Sequence, residues 1–193
     1  MAQTKDEKKR IGIRDAVISD VVEYGLGNAP ISRIAKRAGV SAGTIYIYYP
    51  NKDEMLQSIF MEIKSTIHEV MMDAHQSERS SGQGIRAMWF AMYEFILEHP
   101  DMFAFHEAVS SEKLLKAEQR VNANLMAKDI HDILVTAIND GTLKAMPIDS
   151  LVSLLIAPAV SLARRQLKAE HLNKDDAKQL FDAIWLGIAD QSD

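Results

Sequence analysis

The chain has 193 residues and a mass of 21.6 kDa, 47% of it hydrophobic and 25% charged. That length fits one ordinary domain or a small domain fused to a larger one, and the balance is that of a globular protein, which excludes long disorder. There is no cysteine, which excludes disulfides and thiolate chemistry and suits a reducing compartment.

The N-terminal MAQTKDEKKR is charged with no apolar stretch behind it, so no signal peptide is expected. The longest apolar-rich run, Leu151 to Ala163, is broken by serines and by Pro158 and falls short of the roughly 18 apolar residues of a membrane span. A cytoplasmic protein with no membrane partner is expected. The net charge of −5 is unevenly spread: residues 1–54 carry nine Lys/Arg against seven Asp/Glu, and the remainder 13 against 20. An acidic body repels phosphate, so contact with nucleic acid would have to be concentrated in the mildly basic head.

In chain order the sequence reads helical, with no sustained alternation of period two. Ile13, Ala16, Val17, Val21 and Tyr24 share one stripe, and Gly25 is a natural stop. A short helix from Ile31 to Ala38 opens on Pro30 and closes at Gly39, and another starts at the N-cap Ser41. Pro50 ends it. Asn51 and Glu54 form a capping-box-like start for a long helix striped by Leu56, Ile59, Phe60, Ile63, Ile67, Val70 and Met71. Ser80, Ser81, Gly82 and Gly84 are expected to form a loop. Further helices are expected near 85–98, 101–107, 111–139, 149–169 and 174–189, punctuated by His99-Pro100, Asn139-Asp140-Gly141, Pro147 and Asn173.

The informative stretch is Ile31 to Leu56, ISRIAKRAGVSAGTIYIYYPNKDEML. Two short helices packed steeply need a small residue at the crossing, supplied by Ala35, and a left-handed residue in the turn, supplied by Gly39. Val40 plugs the turn, and Ile31, Ile34, Ile45 and Tyr49 complete a miniature core. Ser41, Ala42, Gly43, Thr44, Tyr46, Ile47 and Tyr48 are left uncommitted to packing. So many small and hydroxylated residues on a short helix suit a major groove, with hydroxyls and free N–H groups reaching phosphates.

This stretch resembles the DNA-binding head of TetR-family regulators. The matching residues are Ile34-Ala35, Ala38-Gly39-Val40-Ser41, Gly43-Thr44-Ile45-Tyr46, Tyr48-Tyr49, Asn51-Lys52-Asp53 and Leu56, and with the preceding helix the match covers about residues 9–56. The resemblance implies an all-α fold: a three-helix helix-turn-helix head at 1–54, joined by a long helix to an all-helical ligand-binding and dimerisation domain at 55–193. It implies a homodimer and a double-stranded DNA operator. Thr44, Tyr46, Tyr48 and Lys52 are the DNA contacts it implies, Tyr48 and Lys52 mostly on phosphates. Arg33, Ser41, Ala42, Gly43 and Ile47 complete the expected DNA-facing set.

Three departures from the family pattern matter. Pro30 replaces a Ser or Thr and so removes a hydroxyl. Ala42 stands where Lys or Arg is frequent, and Ile47 is apolar. Few side chains here can hydrogen-bond bidentately to bases, so thymine methyl contacts or DNA shape are expected to carry more of the specificity. Lys8, Lys9, Arg10 and Arg14 either add phosphate or minor-groove contacts or form a solvated helix start.

Six histidines, at 68, 75, 99, 106, 131 and 171, show no i, i+4 pair and no His-Glu-x-x-His, so no metal is expected. Phosphate-loop, dinucleotide and Gly-x-Ser-x-Gly patterns are absent, and neither a cofactor nor enzymatic activity is expected. The helix after Gly84 is rich in large soft side chains. Trp89, Met92, Tyr93, Met102, Phe103, His106 and Met126 are expected to line a site for a small, uncharged or weakly acidic hydrophobic effector, with Tyr93 and His106 orienting it. Pro158 is expected to kink its helix. The dimer face is expected on Leu151, Leu154, Leu155 and Leu162 and on Leu180, Ala183, Ile184, Gly187 and Ile188. Three readings follow: a repressor released from a palindromic operator by its effector, a DNA-binding protein whose body is a protein-interaction platform, and, least supported by the residues, an enzyme with an accessory helix-turn-helix.

Overall fold

The computed structural model describes residues 5–110, 117–168 and 175–190, and among these the chain is all-helical apart from one isolated antiparallel bridge, Leu143 to Ala189. The helices are α1 (Lys5–Tyr24), α2 (Ile31–Arg37), α3 (Ala42–Tyr48), α4 (Lys52–Gln76), α5 (Ser81–Glu98), α6 (Pro100–Ser110), α7 (Ala117–Asn139), α8 (Ile148–Lys168) and α9 (Asp175–Ile188), with a short 3₁₀ turn at Leu26–Asn28. No described helix is long and apolar enough to cross a membrane. The helix expected over 111–139 is described only from Ala117.

The chain divides into two compact units, Met1–Lys64 with Asp101–Val121, and Ser65–Pro100 with Asn122–Asp193. The boundary expected after residue 54 falls inside the first unit, which continues along α4 to Lys64 and takes in α6. The reason is visible in the core: Ile59 and Ile63 of α4 and Phe105 of α6 are fully buried, as are Ile13 and Val17 of α1. Two arginines of α1 tie it to α4, Arg10 and Arg14 each meeting Glu62 at 2.8 Å. Tyr24, expected in the α1 stripe, is 43% exposed instead, with the Arg33 guanidinium 4.0 Å above its ring.

In the second unit α5 packs on α8. Ile85, Met88, Trp89, Met92, Phe95 and Ile96 turn inward at helical spacing, and Trp89 Nε1 donates to the Leu155 carbonyl at 2.8 Å. The stretch expected as a loop at 80–84 is instead the start of α5. Ser80 is its N-cap, its Oγ accepting from Gln83 N at 3.3 Å. Its glycines serve close packing: a Cβ on Gly84 would stand 2.6 Å from His75, and one on Gly82 would stand 3.1 Å from Trp185. The helix α8 runs unbroken through Pro158.

Candidate nucleic-acid interface

The turn between α2 and α3 is built by Gly39. Its φ of +67° lets Val40 N reach back to the Ala35 carbonyl at 3.0 Å and Gly39 N to the Lys36 carbonyl at 3.2 Å, so the end of α2 is capped and the chain turns sharply. Ser41 then caps α3, its Oγ accepting from Thr44 N at 3.1 Å and lying 2.9 Å from Thr44 Oγ. Ile45 is fully buried and Tyr49 is 6% exposed, one turn apart, and together they pin α3 to the core. The opposite face, Ala42, Gly43, Tyr46 and Ile47, is exposed, Ile47 to 80%.

Not every expected contact is free. Tyr48 Oη donates to Asp6 Oδ1 at 2.5 Å, which pushes its hydroxyl pKa up, and Lys52 Nζ donates to the Leu26 carbonyl at 3.2 Å. Arg33 is turned inward, against expectation. Its Nε and Nη2 bind both oxygens of the buried Asp20, Nη2 also donates to the Asn28 carbonyl, and the hydrogen bond to Asp20 raises its pKa. It is a latch between α1 and α2. Arg10 and Arg14 are likewise taken by Glu62, and Arg37 by Glu23. The exposed cations left on this unit include Lys8, Lys9 and Lys36. The last of these lies outside the expected set, because the helical pattern alone gives no sign of which α2 cation is already paired.

The residues expected around an effector fall in two groups. Met102, Phe103 and His106 belong to the first unit, and Trp89, Met92, Tyr93 and Met126 to the second. In the second unit Met71, Met88, Trp89, Met92, Leu134 and Leu155 border an almost wholly apolar cavity of about 20 Å³. Tyr93 turns its hydroxyl to Gln166, and Met126 is not part of the lining. The expected dimer stripe mixes two faces. Leu151, Leu155 and Ile188 are core, Leu154, Ala183 and Gly187 are exposed, and Leu162, Leu180 and Ile184 are half-buried. Leu186, 65% exposed, was outside the expected set. No group of three or more metal-ligating side chains occurs among the described residues.

Residues 21–59 match the family described as bacterial regulatory proteins, tetR family, and residues 83–189, more than half of the chain, match the tetracyclin repressor-like C-terminal domain. The chain belongs to the TetR family. It is a DNA-binding transcriptional regulator of that family by its head and its relatives. The fatty acid metabolism regulator protein of Bacillus subtilis is 25% identical over 138 residues, covering 70% of this chain and 71% of that protein. A TetR family transcription regulator from Marinobacter aquaeolei superposes with a TM-score of 0.89 at 24% identity, over 97% of this chain and 98% of that one. The Bacillus subtilis regulator FadR, solved in complex with stearoyl-CoA, gives 0.69 at 20% identity, over 91% and 95%.

Proposed function

We propose that this TetR-family regulator is a homodimeric repressor that holds a palindromic operator and lets go when a small hydrophobic effector enters its body. The observation that carries the reading is α3, whose inner residues Ile45 and Tyr49 are fixed while Tyr46 and Ile47 stand out at 51% and 80% exposure. A short helix pinned from behind and presenting small and methyl-bearing side chains fits a major groove. Ser41, Ala42, Gly43, Thr44, Tyr46 and Ile47 are the proposed groove contacts, with Tyr48 and Lys52 on phosphates. Arg33 is left out because its Nε and Nη2 already hold the buried Asp20.

One head makes too few contacts for tight, specific binding, so two-fold pairing is required. The outward residues Leu154, Ala157 and Ser161 of α8 and Ala183, Leu186 and Gly187 of α9 support a dimer face there. They combine apolar surface with small side chains that allow close helix contact. For the effector, the methionines around Trp89 are the adaptable wall that an apolar molecule could push open. The stearoyl-CoA complex of FadR supports a ligand with a long apolar part. The helix α4 runs from Lys52, beside α3, to Gln76 and contributes Met71 to the cavity wall, so it is the element proposed to carry the coupling. A coupling of about 1–3 kcal/mol lowers operator affinity roughly 5- to 150-fold.

The test is an anisotropy titration of a selected operator with and without a co-purifying or added hydrophobic ligand. Trp89→Ala and Met92→Ala should blunt ligand-induced release while leaving DNA affinity intact; release that is unaltered by either contradicts the effector site. A second reading keeps the DNA head and makes the body a protein-interaction platform. The cavity's present size, about 20 Å³, favours it, since that volume holds little more than one water.

A further inference from the structure

The cavity of the second unit is narrow, and its lining is uniform in chemistry. It measures about 20 Å³, room for one water-sized group, and its walls are almost wholly apolar. Trp89 carries the one N–H among the lining side chains, and its Nε1 already donates to the Leu155 carbonyl at 2.8 Å. No side-chain donor is left there to hold a polar group of a ligand. Met71, Met88 and Met92 form part of the wall, and their unbranched side chains yield by rotation about single bonds. Burial is uneven around the lining. Ile85 and Leu134 are fully buried, whereas Ile130 of α7 and Val152 and Ile156 of α8 are half-buried. Those three side chains meet both the cavity and solvent, so the wall on the side of α7 and α8 is one side chain thick.

A solute that enters must match both the width and the lack of polar partners. A ring needs its full width at once; an apolar cavity of about 150 Å³ is the kind that benzene fills. A polar group brought inside loses its water and gains no donor, which is costly. A methylene chain needs only the width of one group, and the methionines can yield to it group by group. We propose that the cavity takes the free end of an unbranched alkyl chain, which enters past Ile130, Val152 and Ile156 and leaves its polar group outside. Affinity is then set by the length of chain buried and not by the chemistry of the head group. The inference rests on the effector reading and gives its ligand a shape, an aliphatic amphiphile bound tail first.

The test titrates the full-length protein with 1-hexanol, 1-octanol, octanamide and cyclooctanol, followed by calorimetry and by the methyl resonances of its methionines. The two methylenes that separate hexanol from octanol should tighten binding roughly 16-fold, about fourfold for each. Octanol and octanamide should agree within about threefold, since neither head group is buried. Cyclooctanol, with the same carbons closed into a ring, should bind roughly tenfold more weakly or worse, because it overfills the slot. Octanol should move the methyls of Met71, Met88 and Met92 and leave that of Met55, in the first unit, unmoved. Val152→Trp, at the half-buried rim, should weaken octanol roughly tenfold or more. Equal binding of hexanol and octanol, cyclooctanol bound as tightly as octanol, or a tenfold preference between octanol and octanamide overturns the proposal. So does octanol that binds without moving the three methyls, or that binds Val152→Trp undiminished. The comparison of probes on the unmodified protein does not depend on any variant folding. Octanol that binds in this way without weakening operator binding upholds the chain site and removes the effector reading instead.

Discussion

Asp20 of α1 is fully buried, and Arg33 of α2 closes on it with two hydrogen bonds, Nε at 2.7 Å and Nη2 at 2.9 Å. The same guanidinium covers the ring of Tyr24. An arginine two residues into a helix-turn-helix invites a role on DNA, but its Nε and Nη2 hold α2 against α1. Arg33→Met leaves the buried carboxylate to the more distant Arg37 guanidinium, Nε at 4.0 Å, so it should lower the thermal midpoint in calorimetry more than Asp20→Asn does, because the amide carries no charge to compensate. The salt dependence of DNA binding by the folded variant should match that of the wild type. A slope reduced by about one would mean that Arg33 leaves Asp20 for a phosphate.

Lys52 and Tyr48 are expected to behave differently from Arg33. Lys52 has given one of its three donors to the Leu26 carbonyl, and Tyr48 has given its hydroxyl to Asp6. Lys52→Ala should weaken binding to all sequences alike and lower the salt slope by about one. Asp6→Ala should strengthen it, since it removes a negative charge and frees the Tyr48 hydroxyl, and that gain should vanish in Tyr48→Phe apart from the charge effect. An anisotropy titration over a range of salt concentrations reads all three; a Lys52→Ala slope equal to that of the wild type contradicts the docking.

The dimer face separates into residues with opposite expected effects. Leu186→Glu and Leu154→Glu place charges on surfaces that are 65% and 42% exposed in the single chain, so the protomer should fold normally and light scattering should report a monomer. Leu151→Ala removes a fully buried side chain and should cost about 2–5 kcal/mol of stability with the dimer retained. A dimer that persists in both glutamate variants would put the interface elsewhere.

His106 gives the fold a dependence on pH. Burial first, and the charge of Lys64 second, keep its pKa at about 4, below the ordinary value of about 6.5. The unfolded chain therefore binds a proton that the folded chain refuses between those values. The neutral ring's contribution is complete above pH 6.5 and is lost as the pH falls towards 4, by at most about 3 kcal/mol. Denaturant melts across this range should show His106→Phe losing less stability on acidification than the wild type. Parallel curves for the two proteins would contradict the buried neutral imidazole.

The head was legible because its signals are local. Gly39 needs positive φ, Ser41 is followed three residues later by the N–H it caps, and Ile45 and Tyr49 sit one turn apart, so turn, cap and inner face all follow from spacing. What spacing cannot reveal is pairing between distant segments. The partners of Arg33, Tyr48 and Arg14 lie 13, 42 and 48 residues away, and only the fold brings them together. The glycines at 82 and 84 misled for a related reason. A glycine in a loop and a glycine where two helices press close look alike in sequence, and only the rings of Trp185 and His75 separate the cases. On α8, Leu151 and Leu154 are equally apolar; which one faces inward depends on where α5 lies.

The most direct test of the account is selection of bound sequences from random double-stranded DNA by the full-length protein, followed by replacement of each enriched thymine with deoxyuridine. The account predicts a palindrome whose half-sites lie about 34–36 Å apart, the distance between successive major grooves on one face of the duplex. It also predicts that at least one thymine in each half-site loses affinity roughly fourfold when its methyl is removed, the worth of about 0.8 kcal/mol per buried methyl, and that Ile47→Ala abolishes this loss. Failure to enrich any sequence, or enrichment of a lone half-site bound by one protomer, would contradict the dimeric reader. Enrichment of a palindrome with no response to deoxyuridine would contradict the role given to Ile47.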